Sequence, residues 1–151
     1  MKLQDCLQPD LVFCEITAQS KKKALEIISE QIDKKIPQLS KKEIFEALIN
    51  RERLGSTGLG HGIAIPHCRI PGLQAPIALF AKLSKPIDYD AIDGQKVDLI
   101  VALFVPEESN EEHLQLLADV AKIFSQRNNI EAIRKIHDGN ILYNFLVNAH
   151  A

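Results

Sequence analysis

The sequence predicts an α/β fold, a mixed sheet of parallel and antiparallel strands flanked by helices, and three observations predict it. Val97 to Val105 is the most apolar segment and reads as a central strand buried on both faces. Ser40 with Glu43, and Ser109 with Glu112, form S-x-x-E capping boxes that mark helix starts. Some strand candidates are joined by helix-length segments and others by short turn-rich ones, which requires both strand directions in one sheet. At 151 residues, 46 % apolar and 25 % charged, the chain fits one domain over residues 1–151 with a core that needs no disulfide or structural metal.

Taken in order, Leu11 to Ile16 is the first strand, following the turn signal Pro9-Asp10. Ser20 opens a helix through about Ile36, with Ala24, Leu25, Ile28 and Ile32 as its apolar stripe and lysines outside. Pro37 ends it. Ser40 opens a second helix to about Leu54, with Ile44, Phe45, Leu48 and Ile49 inward. Ile63, Ala64 and Ile65 form a short β segment that stops at Pro66. Ile77 to Leu83 is a strand, Pro86 to Gly94 a turn-rich connection, and Val97 to Val105 the central strand, ended by Pro106. Ser109 then starts a helix to about Arg127, and two shorter helices follow, Ile130 to Ile136 and Asn140 to Ala149.

Composition excludes several classes. The net charge of −2 and pI near 6.2 give no basic footprint, so no nucleic-acid partner is expected. The longest apolar run, Leu99 to Val105, is too short to span a bilayer, and the N-terminus lacks the apolar core of a secretory signal, so no membrane insertion is expected. The cysteines, Cys6, Cys14 and Cys68, are odd in number and widely spaced, which suits free thiols in a reducing cytoplasm. Cys6 and Cys14 read as small core residues.

Chemistry concentrates between Arg51 and Arg69, RERLGSTGLGHGIAIPHCR, which holds four of the seven glycines. A glycine loop, a short strand and a rigid proline deliver His67 to the rim of a sheet. Helical steps of about 100° put Glu52 near the middle of the second helix's apolar face, with Arg51 and Arg53 on its flanks. A carboxylate there needs donors. Either the helix end frays into water, or Glu52 accepts N–H bonds from the loop beginning at Gly55 while one flanking arginine faces the same loop. His113 lies in the stripe of Leu114, Leu117, Val120, Ala121 and Phe124, just beyond the central strand, where α/β ligand crevices form. A core histidine bonded to a backbone carbonyl fits that position equally well. His61, His137 and His150 read as surface or loop residues.

Three readings of these side chains compete. A metal site of His61, His67, Cys68 and His113 lacks the paired ligand spacing of a zinc site, so no metal and no cofactor are expected. A Cys68–His67 nucleophile pair fails because adjacent residues on extended backbone point to opposite faces. The third makes His67 a nucleophile for phosphorus, a neutral imidazole with one nitrogen oriented by a hydrogen bond. Loop N–H groups, a helix N-terminus, an arginine and the His113 ring can then face the phosphoryl oxygens. The glycine spacing is not a nucleotide-binding P-loop, since no Lys-Ser or Lys-Thr follows it.

The run GSTGLGHGIAIPH, preceded by Arg51-Glu52 and followed by PIDYDAIDGQKVDLIVALFVP and EEHLQLLADVAKIF, resembles the EIIA proteins of the bacterial phosphotransferase system, mannitol/fructose class, nearest the nitrogen-regulatory type. The likeness covers nearly the whole chain. It implies a mixed sheet flanked by helices and a phosphorylated histidine at His67, with His113 as the second active-site histidine and Arg51 as the arginine near the phosphate. It also implies that Ser56, Thr57 and Gly58 surround the site. The implied donor is an HPr-type phosphocarrier, and the implied targets include potassium transport proteins and sensor kinases. Leu59, Ile63 and Ile70 are candidates for a docking rim or for core. The alternatives are a sugar-specific EIIA that passes its phosphoryl group to an EIIB, and a binding module whose histidines carry no phosphate.

Overall fold

The computed structural model describes residues 1–108 and 111–150. After a single 3-10 turn at Leu3–Asp5, the elements run β1 (Leu7–Ile16), α1 (Lys21–Lys35), α2 (Lys41–Arg53), β2 (Gly58–Gly60), β3 (Ile63–Ala64), β4 (His67–Ile70), β5 (Ile77–Ile87), β6 (Val97–Pro106), α3 (Glu111–Ile123), α4 (Arg127–Lys135) and α5 (Gly139–Asn148). The predicted α/β class with a mixed sheet is the observed one. Six strands form it in the order β1-β5-β6-β3-β2, with β4 also paired to β6. β1 is parallel to β5, β5 antiparallel to β6, and β3 and β4 both parallel to β6.

β6 is the organising strand, and its period-2 alternation divides the core. Leu99, Val101 and Leu103 join one cluster with Leu116, Val120, Ile133 and Leu142 from α3, α4 and α5. Ile100, Ala102 and Phe104 join another with Leu25, Ile28, Ile44 and Leu48 from α1 and α2. Helices therefore cover both faces of the sheet.

The hydroxyls of Ser20 and Ser40 cap α1 and α2, accepting from the N–H groups of Lys23 and Glu43 at 3.1 Å each. The second expected capping box, Ser109 with Glu112, includes a residue outside those described.

Several expected boundaries move. β1 begins at Leu7, not Leu11, and runs through Pro9-Asp10, because it is an edge strand whose pairing with β5 is irregular between Leu7 and Val12. β5 continues through Pro86 across a second irregularity to Ile87. The helix expected to reach Arg127 stops at Ile123, and a turn at Phe124 and Ser125 separates it from α4. Cys6 is buried as expected, whereas Cys14 is half-buried.

Candidate active site

The glycine stretch folds as a tight unit against β6. Gly62 has φ +84°, a conformation that L side chains rarely adopt, and a Cβ there would also displace the Arg134 guanidinium and the Asp98 carboxylate from their present positions. The Gly62 carbonyl accepts N–H bonds from Asp98 and Leu99, each at 3.0 Å, which fixes where β3 starts. Pro66 interrupts the strand without ending it. Its carbonyl accepts from Leu103 N–H at 2.9 Å, and pairing with β6 resumes with His67 opposite Leu103. His67 is thus the first residue of β4, where the sequence suggested a residue just past a strand stop.

His67 is held in one tautomer. Nδ1 lies 2.8 Å from the Ile65 carbonyl, which can only accept, so Nδ1 carries the proton. Nε2 keeps its lone pair and accepts the Arg51 Nε–H at 3.3 Å. Burial lowers the pKa of the ring below the ordinary histidine value, and the Arg51 charge adds to this. The Ile65 hydrogen bond and Glu52 act in the opposite direction but do not reverse it. The ring is neutral at neutral pH, with a nucleophilic nitrogen beside a guanidinium.

The end of α2 sends consecutive side chains to different places. Arg51 points to His67 and also donates from Nη1 to the Gly55 carbonyl at 3.0 Å. Glu52 turns inward, its side chain 5 % exposed, and accepts from Lys21 Nζ at 2.8 Å and from Thr57 N–H at 3.1 Å. The Thr57 hydroxyl donates to its other oxygen at 2.5 Å. Lys21 Nζ also lies 4.4 Å over the ring of fully buried Tyr89, whose hydroxyl is 3.3 Å from that of Thr57. Ser56 Oγ donates to the Tyr89 carbonyl and accepts from Gly58 N–H, both at 3.1 Å. The expectation that Glu52 takes donors from the glycine loop is met by Thr57. Arg53, the other flanking arginine, is exposed and donates to Asn50.

A cleft of about 570 Å³ opens between α2 and α3 beside β4, and it brings together Arg51, His67 and His113. Ser56, Thr57 and Gly58 do not line it; they brace Glu52 and Tyr89 behind it. His113 is half-buried rather than central to the buried stripe, which runs through Leu116, Val120 and Ile123. Leu114 faces outward at 67 % exposure, and with Leu54 at 84 % it forms the apolar rim of the cleft. Ile63 and Ile70 are core and Leu59 is outside the cleft, so the expected rim is displaced.

Cys68 is buried and its thiol is pushed up to about 12 by that burial, so little thiolate forms at neutral pH. His61, His137 and His150 are exposed and lie outside the cleft. Among the described residues no three His, Cys, Asp or Glu side chains converge as a metal site would require. Sequence reasoning missed the part played by Lys21 and Tyr89. The available signal was an aromatic residue, Tyr89, inside an otherwise polar, turn-rich run.

The family model described as phosphoenolpyruvate-dependent sugar phosphotransferase system, EIIA 2, matches residues 5–149. The nitrogen regulatory protein of Pseudomonas aeruginosa is 40 % identical over 147 residues, covering 97 % of this chain and 96 % of that protein. Among solved structures, the nitrogen regulatory protein IIA-Ntr of Neisseria meningitidis superposes with a TM-score of 0.89 at 34 % identity, covering 95 % of this chain and 97 % of the other. The mannitol enzyme IIA of Escherichia coli, solved in complex with phosphorylated enzyme IIB, shares the fold with a TM-score of 0.74 at 17 % identity, over 93 % of this chain and 97 % of that one. No helix among the described residues is long and apolar enough to cross a membrane.

Proposed function

The chain belongs to the EIIA 2 family of the phosphoenolpyruvate-dependent sugar phosphotransferase system, and on that premise we propose that it is a nitrogen-type regulatory member phosphorylated on Nε2 of His67. The donor is an HPr-type phosphocarrier, itself phosphorylated on histidine. The observation that carries the reading is the division of labour on the His67 ring: Nδ1–H is committed to Ile65, and the Nε2 lone pair stands beside Arg51 in an open cleft.

In the transfer, the Nε2 lone pair forms the new P–N bond. The donor's P–N bond breaks with its electron pair returning to the donor ring, which is protonated at its other nitrogen and leaves as neutral imidazole. His67 keeps its Nδ1 proton, so the phosphorylated ring is an imidazolium stabilised by the Ile65 carbonyl. Arg51 gives up its bond to Nε2 and turns its N–H groups to the phosphoryl oxygens, while Nη1 stays anchored on Gly55. His113, on the facing wall of the cleft, supplies a second ring to the same oxygens. The site needs no metal ion for this, because the charge is met by side chains.

The added charge changes the cleft between two apolar rim residues, Leu54 and Leu114, and so favours or forbids a partner that docks there. Residues 1–151 form one EIIA unit that acts in the cytoplasm, with targets of the kind represented by potassium transport proteins and sensor kinases. A second reading, a sugar-specific EIIA that hands its phosphoryl group to an EIIB, draws on the mannitol IIA–IIB complex of the same fold. A binding module that carries no phosphate is the third.

Intact-mass analysis after incubation with phosphoenolpyruvate, enzyme I and the HPr-type carrier tests the proposal. One added phosphoryl mass, removed by acid and lost in His67→Ala, is the expected result. Retained labelling in His67→Ala would sink the site assignment, and an unlabelled wild-type protein would favour the binding module. Onward transfer to added EIIB proteins would favour the sugar-specific reading.

A further inference from the structure

The last turn of α2 carries Arg51, yet apolar packing does little to hold it there. Arg53 is exposed, Leu54 is 84 % exposed, and the chain leaves the helix through Gly55 at φ +148°. Terminal turns of helices fray because their last carbonyls lack intrahelical partners. In this one the inward-facing side chain is Glu52, and Lys21 and Thr57 hold it. Lys21 comes from the first turn of α1, and its Nζ reaches the Glu52 carboxylate, the Tyr89 carbonyl at 3.4 Å and the Tyr89 ring. Three separate parts of the chain, α1, the end of α2 and the segment after β5, meet at one ammonium.

We infer that Lys21 is a positioning residue for Arg51, acting through Glu52: the ion pair with the buried Glu52 carboxylate fixes the rotation of the last turn of α2 and so aims the guanidinium at His67. The inference rests on the reading of His67 as phosphoryl acceptor. The loop is tied to the same point from its other side, since Thr57 gives both its N–H and its hydroxyl to Glu52 while Gly55 accepts from Arg51. Without the ammonium, Glu52 is a buried carboxylate short of its cation, which the turn relieves by moving outward into water. Arg51 moves with it. Misplacement of a charge-stabilising group by about 1 Å is enough to slow a transfer by up to about 10²-fold.

The test is single-turnover transfer from the pre-phosphorylated HPr-type carrier, recording amplitude, rate constant and its dependence on carrier concentration. Wild-type protein should label to completion. Lys21→Met should label to the same amplitude with a rate constant at saturating carrier roughly 10-fold lower, and Lys21→Arg should recover to within about 3-fold. A purely structural role would instead lower the amplitude, as misfolded protein drops out, and leave the rate constant of the remainder unchanged. That result would overturn the inference, as would a wild-type rate in Lys21→Met or a defect confined to half-saturation by the carrier. Should Lys21→Met fail to fold, Thr57→Ala removes another support of the same carboxylate, and the same slow, full-amplitude labelling is expected; a wild-type rate there would overturn it. An unlabelled wild-type protein would overturn the reading of His67, and this inference with it.

Discussion

Two arginines bracket the glycine stretch, and they differ in what neutralises them. At the His61 end, Arg134 of α4 grips the Asp98 carboxylate through Nε at 3.1 Å and Nη2 at 2.8 Å, and Nη2 also reaches the His61 carbonyl at 3.0 Å. At the His67 end, Arg51 donates to a neutral ring nitrogen and to a backbone carbonyl, and no ion pair involves it among the described residues. The adjacent carboxylate, Glu52, is already paired with Lys21. Arg134 is a staple whose charge is used up locally, whereas Arg51 is held in place by neutral acceptors, which leaves its charge for the role the proposed transfer gives it. On the proposed reading, the same residue type serves cohesion at one end of the loop and chemistry at the other.

Substitutions at the two ends should separate these roles. Arg51→Ala should slow phosphoryl transfer by about 10²-fold, with the label still on His67, since it removes charge stabilisation and not the nucleophile. Stopped-flow or quenched transfer assays check this, and a wild-type rate would remove Arg51 from the account. His113→Ala should give a smaller loss, about 10-fold, again without moving the label. Arg134→Ala should leave the transfer rate constant unchanged and lower stability in a denaturant titration by about 1 kcal/mol, as befits a bidentate but partly exposed pair. A large rate defect in Arg134→Ala with normal stability would erase the contrast.

The smallest effect concerns pH. His67 is lowered below its unfolded value of about 6.5, so the unfolded chain binds the proton more readily than the native one. Its contribution to stability is present above the unfolded value and is lost as pH falls through the folded value. Denaturant midpoints measured between pH 7.5 and 5 should therefore fall more steeply in wild type than in His67→Gln. An identical slope would mean that the ring is not held neutral. The transfer rate should likewise persist down to the ordinary histidine range and decline only below it.

Much of this was legible in local pattern, and what was not depends on contacts between distant parts of the chain. Ser20 and Ser40 announce α1 and α2 because a cap is a matter of three neighbouring residues, and the apolar run of β6 announces a strand covered on both faces. The start of β1 was hidden because an edge strand tolerates Pro9, which a central strand would not. Lys21 belonged by pattern to the outer face of α1, yet it turns in to Glu52, which lies far along the chain. Lys82 reads as part of an ordinary strand, but it is buried and its ammonium caps the end of α4 by donating to the carbonyls of Ile133, Arg134 and Ile136.

The candidate site divides the same way. The histidine, its rigid approach and a nearby arginine were readable from Arg51 to His67. The sequence alone left Arg51 and Arg53 open until the family likeness was considered, and the geometry puts Arg51 on the ring. Ser56 and Thr57 were placed around the site, with Gly58, by the family likeness alone. Their hydroxyls instead point to Tyr89 and Glu52, a direction fixed by residues that periodicity along one helix does not reach.

The most direct test of the central claim is to find which nitrogen carries the phosphorus, by phosphorus–nitrogen coupling in NMR spectra of protein labelled with nitrogen-15 in histidine and phosphorylated by the carrier. Phosphorus on Nε2 of His67, with a proton retained on Nδ1, is the predicted result. Phosphorus on Nδ1, or on the His113 ring, would contradict the account, because the Ile65 carbonyl that fixes the tautomer would then play no part in choosing the nucleophile.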